Sequence, residues 1–156
     1  MNVEFVNPFL SATLRVLKTM ASVEASPGKP FLKKGGGAHG DVSGIIGITG
    51  PVNGSMSLSF SRNCIIKIMA GMLGEKMEKE AEITKDIKDA VGELTNMISG
   101  DARNELGQQG FQFQIALPTV ITGLNHEIRH KCNAPTIAIP FDTDAGPFVV
   151  EVSFEN

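Results

Sequence analysis

The stretch DAVGELTNMISG, residues 89–100, lies at the centre of the longest helical pattern in the sequence. Apolar residues recur at helical spacing through and beyond it: Ile87, Ala90, Val91, Leu94, Met97, Ile98, Ala102 and Leu106. Such a stripe is typical of a helix that packs one side on a core. The pattern predicts one long helix from about Thr84 to Leu106, against which the rest of the fold is arranged.

The patterns on either side of this helix define the other elements. Residues 7–23 and 62–73 have helical spacing, with Asn7 as a cap and Pro8 in the first turn of the earlier helix. Between them, VSGIIGITG and GSMSLSFS predict a β-hairpin. Strand-like runs follow the long helix: FQFQIAL, TVITG, EIRHKC, TIAIPF and FVVEVSF. The order predicts a single α+β domain over residues 1–156, with long helices packed on an antiparallel sheet.

Two segments of the sequence resemble each other. EFVNPFLSATLRVL, residues 4–17, and ELTNMISGDARNEL, residues 93–106, both contain E-x-x-N followed by a helical run. Each segment is followed later in the chain by strand-like runs. We therefore predict a duplicated unit, with two similar halves related by a pseudo-two-fold axis.

The composition limits the classes of partner and the compartment. A net charge of −3 and a pI near 5.6 argue against nucleic acid, because there is no basic excess to neutralise phosphates. MNVEFVNPFL does not resemble a signal peptide, and no run reaches the ~18 apolar residues of a membrane-spanning helix. A cytoplasmic protein with no membrane partner is expected. Cys64 and Cys132 are isolated, which predicts reduced, buried thiols, with a disulfide as the alternative.

The segment HEIRH, residues 126–130, fits the HExxH pattern of zinc proteases. Zinc binding through this pattern requires both histidines on one face of a helix. Gly123 and Pro135 flank the segment and favour a strand, in which His126 and His130 would lie ~13 Å apart. An ordinary strand segment is the simpler interpretation, and a zinc hydrolase is a distant alternative.

The segment GGGAHG, residues 35–40, satisfies the G-x-G-x-x-G spacing of dinucleotide-binding loops. Such a loop follows a strand and opens a helix, whereas this segment follows a loop of prolines and lysines and opens a strand. We interpret it as a flexible connection, with Lys33 and Lys34 in solvent.

The side of the long helix opposite the apolar stripe forms what we call the polar face. Its residues are Asp89, Glu93, Asn96, Gly100 and Arg103. A solvated surface is one interpretation of this face. Gly92 and Gly100, however, each cost ~1 kcal/mol relative to alanine in a helix, so a surface optimised for stability alone would not contain them. Glycines beside Glu93 and Asn96 leave room for the backbone of another molecule.

The same residues resemble a known family signature. The sequence reads Asp89-AVG-Glu93-LT-Asn96, and Pro118 follows after 21 intervening residues. This pattern resembles that of the CheC/CheX/FliY family of chemotaxis phosphatases: Asp or Ser, three residues, Glu, two residues, Asn, and a later Pro. The N-terminal MNVEFVNPF, the KPFLKKG loop and the chain length are similar to the CheX branch of that family.

The resemblance implies a CheC/CheX-like fold and a phosphatase that hydrolyses the aspartyl phosphate of a CheY-like response regulator. Glu93 would dock a lysine in the regulator's active site, and Asn96 would hold the attacking water in line with the phosphorus. The Mg²⁺ ion would belong to the regulator, so the chain needs no cofactor of its own. Asp89 holds the family's flanking acidic position and would give local support or a contact at the rim. Independently of the resemblance, the small size of Gly92 and Gly100 would allow close approach of the partner, and Arg103 is a further candidate contact.

The first E-x-x-N, Glu4 and Asn7, departs from the family pattern because it has no room for the preceding Asp or Ser, and Pro8 follows at once. The resemblance therefore implies one active motif, in residues 89–96, and a degenerate first copy.

The resemblance also implies a homodimer. An exposed edge of TIAIPF or FVVEVSF is a candidate for pairing across its two-fold axis. The alternative function is a non-enzymatic docking module of the same fold for a signalling or flagellar-switch partner, which would tolerate Asn96→Ala.

Overall fold

The computed structural model describes residues 3–33, 38–73, 85–130 and 134–155. Within them lie three helices, α1 (Asn7–Ala21), α2 (Arg62–Leu73) and α3 (Lys85–Gln108), and a short 3-10 turn at Val3–Phe5. The predicted helices are confirmed, α2 with the predicted bounds. Thr84, the predicted start of the long helix, lies outside the described residues. None of these helices is long and apolar enough to cross a membrane.

One antiparallel sheet contains the eight strands of the described residues. They are β1 (Ser26–Pro27), β2 (Phe31–Leu32), β3 (Ala38–Thr49), β4 (Gly54–Phe60), β5 (Gln114–Ile115), β6 (Thr119–Ile128), β7 (Thr136–Thr143) and β8 (Gly146–Phe154). The order is β1-β7-β8-β4-β3-β5, with β2 also paired to β7 and β6 to β3. The predicted α+β class and the β3–β4 hairpin are confirmed. The pseudo-two-fold duplication stays a prediction.

The strands differ from the prediction in three places. TVITG and EIRHKC contribute to one strand, β6, because Gly123 and Asn125 adopt positive φ angles of 153° and 49° and absorb the bend. FQFQIAL contributes only Gln114–Ile115, because its first residue still belongs to the end of α3: the Phe111 N–H donates to Leu106 O at 2.9 Å. The segment that contains β1 and β2 was predicted as a loop, since two-residue strands are too short to show an alternation.

The helices cover one face of the sheet. Alternate residues of four strands point to this side and are buried and apolar: Val42, Ile46, Met56, Leu58, Phe60, Ile139, Phe141, Val150, Val152 and Phe154. α3 approaches the sheet closely at Gly44, where an added Cβ would overlap Oγ1 of Thr95 and lie 3.3 Å from Cγ1 of Val91. Glycine at this position therefore allows the helix to pack directly on β3.

The start of α1 differs from the prediction. Val6 is the N-cap residue, no side chain caps the helix, and Asn7 is the first helical residue, with an exposed side chain. The predicted cap at Asn7 is wrong, because a capping side chain precedes the helix and reaches forward to its free N–H groups. Pro8 lies in the first turn as predicted, where its missing N–H costs no hydrogen bond.

The second face of the sheet is polar and is also buried. Its side chains alternate with the apolar ones: Ser43, Ser57, Ser59, Glu151 and Ser153. His126 of β6 covers part of this face, with its Nε2 2.7 Å from Ser43 Oγ. The pairing of β3 with β6 shifts register between Gly40 and Val42, which marks a bend in the strand, and a Cβ added to Gly40 would lie 3.0 Å from Phe60 O. Asp41 holds the bend by accepting hydrogen bonds from the backbone N–H groups of Asn125 and Arg62, at 2.9 and 2.8 Å. The same bonds hold the pKa of the Asp41 carboxyl below its usual range.

Glu151 is the charged residue at the centre of this second face of the sheet. Its carboxylate has Lys33 Nζ at 2.8 Å and His130 Nε2 at 3.5 Å, and it accepts a hydrogen bond from the Ala38 N–H at 3.3 Å. The prediction that Lys33 only contacts solvent is therefore wrong, and Lys34 lies outside the described residues. The cluster ties the segment before β3 to the middle of the sheet.

The two strand edges suggested for pairing between subunits are occupied. β8 lies between β4 and β7, and β7 pairs on its other side with β1 and β2. TIAIPF and FVVEVSF are therefore wrong candidates. Among the strands of the described residues, β6 pairs only with β3, which leaves its outer edge open.

Candidate functional site

α3 places the polar face on the surface of the protein. The opposite side of the helix is buried and consists of Ile87, Val91, Leu94, Thr95, Ile98, Ser99, Ala102 and Leu106. The predicted site residues are exposed or, for the two glycines, partly exposed: Asp89, Gly92, Glu93, Asn96, Gly100 and Arg103. The structure thus brings them together on one accessible side of one helix. Their roles in binding and catalysis stay predictions.

The chemistry of this face is set by a carboxylate and a carboxamide nearly one turn apart. Glu93 presents an anion that attracts a cationic group. Asn96 presents a neutral group that donates and accepts hydrogen bonds, and it brings no negative charge toward an anion. The pair suits a partner whose site holds a cation beside an anionic centre.

Two hydroxyl residues hold the backbone beneath Asn96. Thr95 Oγ1 donates to Val91 O at 2.7 Å, and Ser99 Oγ donates to Thr95 O at 2.8 Å and to Asn96 O at 3.1 Å. These bonds satisfy hydroxyls that are buried against the sheet. The stripe predicted from the sequence omits Thr95 and Ser99, because only apolar residues were counted. Their separation of four residues was the available signal that both lie on the buried side of the helix.

The two glycines of the site differ in their surroundings. A Cβ added to Gly92 would lie 3.4 Å from Cγ2 of Val120, an ordinary contact with β6. A Cβ added to Gly100 would meet no atom within 4 Å. Packing among the described residues therefore gives no reason for glycine at position 100, and the close approach of another molecule stays a prediction.

Pro118, the last residue of the family pattern, lies in a bulge at the edge of the sheet. The pairings of β5 and β6 with β3 leave three residues, 116–118, opposite two residues of β3. One extra residue of this kind is a β-bulge, where a proline is tolerated because a ladder hydrogen bond is missing. Two residues later Val120 lies beneath Gly92, so the bulge precedes the contact between β6 and α3. Leu117, in the bulge, is 89% exposed.

An ion-pair cluster joins α1 to α3 beyond Asn96. Arg15 Nε lies 2.9 Å from Asp101 Oδ2, and its Nη2 lies 3.1 Å from Glu105 Oε2. Hydrogen bonds to Asp101 and Glu105 raise the pKa of the Arg15 guanidinium. All three side chains are partly exposed, so each pair is worth at most ~1 kcal/mol. The cluster links α3 to α1 but contributes little to the free energy of unfolding. The spacing of residues in the sequence did not predict these ion pairs.

The histidines of HEIRH have separate partners. His126 lies in β6, where its Nε2 is 2.7 Å from Ser43 Oγ. His130 follows the strand, and its Nδ1 is 2.6 Å from Ser55 Oγ. The predicted strand conformation is confirmed for residues 126–128 of the segment. The described ranges contain no group of three or more His, Cys, Asp or Glu arranged to hold a metal ion.

The remaining sequence candidates contribute no reactive group within the part of the chain that the structure describes. Cys64 is buried and free, and burial raises the pKa of its thiol to about 11, so it is protonated at neutral pH. Cys132 and residues 35–37 of the glycine-rich segment lie outside the described residues. β3 begins at Ala38, so the segment opens a strand as predicted.

Known proteins are similar to this chain over most of its length. The family profile of Chemotaxis phosphatase CheX matches residues 42–142. The CheY-P phosphatase CheX of Thermotoga maritima is 29% identical over 129 residues, which cover 83% of this chain and 82% of that protein. A CheC-like superfamily protein from Shewanella sp. PV-4 has a crystal structure with a TM-score of 0.92, 49% identity and 100% coverage of both chains. The CheX–CheY–BeF3–Mg²⁺ complex from Borrelia burgdorferi has a TM-score of 0.82 and 28% identity, covering 97% of this chain and 98% of that chain.

Proposed function

Because the chain belongs to the CheX family of chemotaxis phosphatases, we propose that it hydrolyses the aspartyl phosphate of a CheY-like response regulator. The observation that supports this function best is the exposed face of α3 with Asp89, Glu93 and Asn96 in the family spacing. By their names, the Thermotoga relative acts on CheY-P and the Borrelia relative forms a complex with CheY. Within this proposal the protein is cytoplasmic, where response regulators act.

In the proposed reaction, Asn96 enters the regulator's active site and holds a water molecule in line with the phosphorus. The water attacks phosphorus, the bond between phosphorus and the aspartyl oxygen breaks, and inorganic phosphate leaves. Such a transfer needs little covalent help, so positioning the water is the main contribution an outside residue can make. A carboxamide suits this task because it bonds to water without repelling the phosphoryl oxygens.

Docking in this proposal depends on the charges around Asn96. Glu93 pairs with a lysine of the regulator's active site, and the pairing sets the position of α3 over the phosphorylated aspartate. Asp89 and Arg103 make contacts at the rim. Mg²⁺ comes with the regulator, in agreement with the composition of the Borrelia complex, and this chain supplies no cofactor.

A homodimer is part of the proposal. The outer edge of β6 is the longest open edge among the described strands, and Leu124 on this strand is 83% exposed. Pairing of two such edges across a two-fold axis would extend the sheet and cover Leu124.

The direct test measures acyl phosphate on the CheY-like regulators of the same genome, with and without this protein. Faster loss of phosphate from one regulator supports the phosphatase. If every regulator loses phosphate at its own intrinsic rate, the docking module without catalysis becomes the better function.

Gly100→Ala should separate the stability of the helix from docking. Alanine at this open position raises the free energy of unfolding by ~0.5–1 kcal/mol, because glycine is a poor helix former. The same methyl group blocks the approach of the regulator, so KM for the phosphorylated regulator should rise several-fold. Denaturant unfolding and steady-state kinetics measure the two effects. Asn104→Ala, also exposed on α3, should stabilise the helix without changing KM; an unchanged KM in Gly100→Ala would contradict the close approach.

The degenerate first motif should have no catalytic role. Glu4→Ala and Asn7→Ala should keep the wild-type rate of regulator dephosphorylation. Since Asn7 is exposed and caps nothing, Asn7→Ala should change the free energy of unfolding by at most ~0.5 kcal/mol. The same kinetic and unfolding assays apply, and a folded Asn7→Ala protein without turnover would restore the first motif as a second site.

A further inference from the structure

We infer that Thr95 is the positioning residue for Asn96: its side chain fits a recess in the sheet at Gly44 and thereby sets where the neighbouring carboxamide stands. The inference rests on the proposed role of Asn96 in holding water. Thr95 is itself fully buried and touches neither the regulator nor the water. Its effect on the reaction passes through the backbone to the next residue.

The Gly44 recess exists because β3 has no side chain at this point. An added Cβ would overlap Oγ1 of Thr95 and would also lie 3.1 Å from Cβ of Thr95. The Cβ atom is fixed by the helix backbone, so rotating the threonine side chain does not relieve this second contact. Gly44 on β3 therefore sets the distance between the strand and α3 at the helical turn that contains Asn96.

A second contact fixes the rotation of the helix about its axis. Gly44 on β3 pairs with Val120 on β6, so the two residues are neighbours across the strands. Val120 lies beneath Gly92, nearly one turn before Thr95. Two adjacent points of the sheet thus hold two successive turns of α3. The helix cannot rotate without breaking one of these contacts, and the outward direction of Asn96 follows from both.

A shift of α3 should affect catalysis more than docking. The attraction between Glu93 and a lysine falls only gradually with distance. Holding water in line with phosphorus is far less tolerant, and a misplacement of about 1 Å costs up to ~100-fold in rate. A displaced Thr95 should therefore lower kcat by about tenfold or more while KM changes by less than about threefold. Partial unfolding would instead lower the concentration of active enzyme, and the folded fraction would keep the wild-type kcat and KM.

The test compares Gly44→Ala with the double variant Gly44→Ala/Thr95→Ala. In the double variant the methyl group of residue 44 takes nearly the place that Thr95 Oγ1 vacates. The 3.1 Å contact between the two Cβ atoms remains, but it requires a shift of only a few tenths of an ångström, so α3 returns close to its original position. Gly47→Ala is the matched control on the same strand, because a Cβ there would lie 3.8 Å from its nearest neighbour, Cβ of Ala116. Each folded variant is assayed for kcat, KM and the amide chemical shifts of Asn96 and Ser99.

The expected result is a low kcat and shifted amide signals in Gly44→Ala, recovery of most of both in the double variant, and no change in Gly47→Ala. Wild-type kcat in a folded Gly44→Ala protein, or a loss that the double variant does not reverse, would overturn the inference. If Gly44→Ala fails to fold, the double variant decides: the inference requires it to be folded and active, and an unfolded or inactive double variant overturns the inference. A wild-type protein that accelerates no regulator would instead overturn the proposed function.

Discussion

Asn96→Ala should reduce the stimulated dephosphorylation of the regulator by roughly 100-fold or more while leaving docking largely intact. Alanine removes the carboxamide that holds the water, and loss of in-line positioning costs rates of this order. The protein should stay folded and become slightly more stable, because Asn96 is exposed and alanine is the better helix former. Acyl phosphate decay gives the rate, and equilibrium binding to the phosphorylated regulator gives the affinity.

The matched control is Asn104→Ala, the same substitution on the same helix at an exposed position two turns away. It should keep the full rate. Glu93→Ala should weaken binding as well as the rate, since it removes the charge that pairs with the lysine. Full activity in Asn96→Ala would show that another group positions the water.

Glu151→Ala should cause the largest loss of stability, about 3–5 kcal/mol in the free energy of unfolding. Glu151 is fully buried, and its removal leaves Lys33 and His130 without their shared carboxylate. An uncompensated charge in a buried site is the reason for a cost of this size, which is a large part of the total for a domain. Urea unfolding measures the change, with Glu24→Ala as the exposed control. A loss below about 1 kcal/mol would contradict a stabilising ion-pair cluster.

The same cluster predicts a pH dependence. Burial raises the pKa of the Glu151 carboxyl, but the hydrogen bonds from His130 and Lys33 outweigh burial and bring it below the ordinary value of 4.5. The unfolded chain then takes up the proton more readily than the folded one. The stability that Glu151 contributes is therefore complete above about pH 4.5 and is lost as the pH falls through the lower, folded-state pKa. The difference in unfolding free energy between wild type and Glu151→Gln should shrink across that range; a constant difference would contradict the lowered pKa.

The helices and the polar face were predictable because their signals are local. Residues three and four apart define the buried stripe of α3, and the same spacing places Glu93 and Asn96 together on the other side. The Gly44 recess was not predictable, because Gly44 and Thr95 are far apart in the sequence and meet only when the helix packs on the sheet. Lys33 could not be assigned for the same reason: its partner Glu151 lies at the other end of the chain.

The error at Asn7 has a different cause. Asn, Pro and an apolar run are the usual signals of a capped helix start, and α1 begins within one residue of the expected place. The helix begins one residue early, at Asn7 itself, so the side chain that looked like a cap lies inside the first turn. Signals of this kind locate a helix end to within a residue or two but do not fix which residue caps it.

The pairing of β4 with β8 has a consequence for how the protein is made. Gly54 pairs with Phe154 and Phe60 with Phe148, so the centre of the sheet joins segments separated by most of the chain. Contacts of this separation fold slowly, because a long loop must close before they form. A growing polypeptide on the ribosome has already produced α3 with Glu93 and Asn96, and β3 and β6 on which this helix packs, yet it lacks the strand that pairs with β4. The nascent chain therefore exposes the β4 edge during translation, and the sheet is complete only after β8 has left the ribosome.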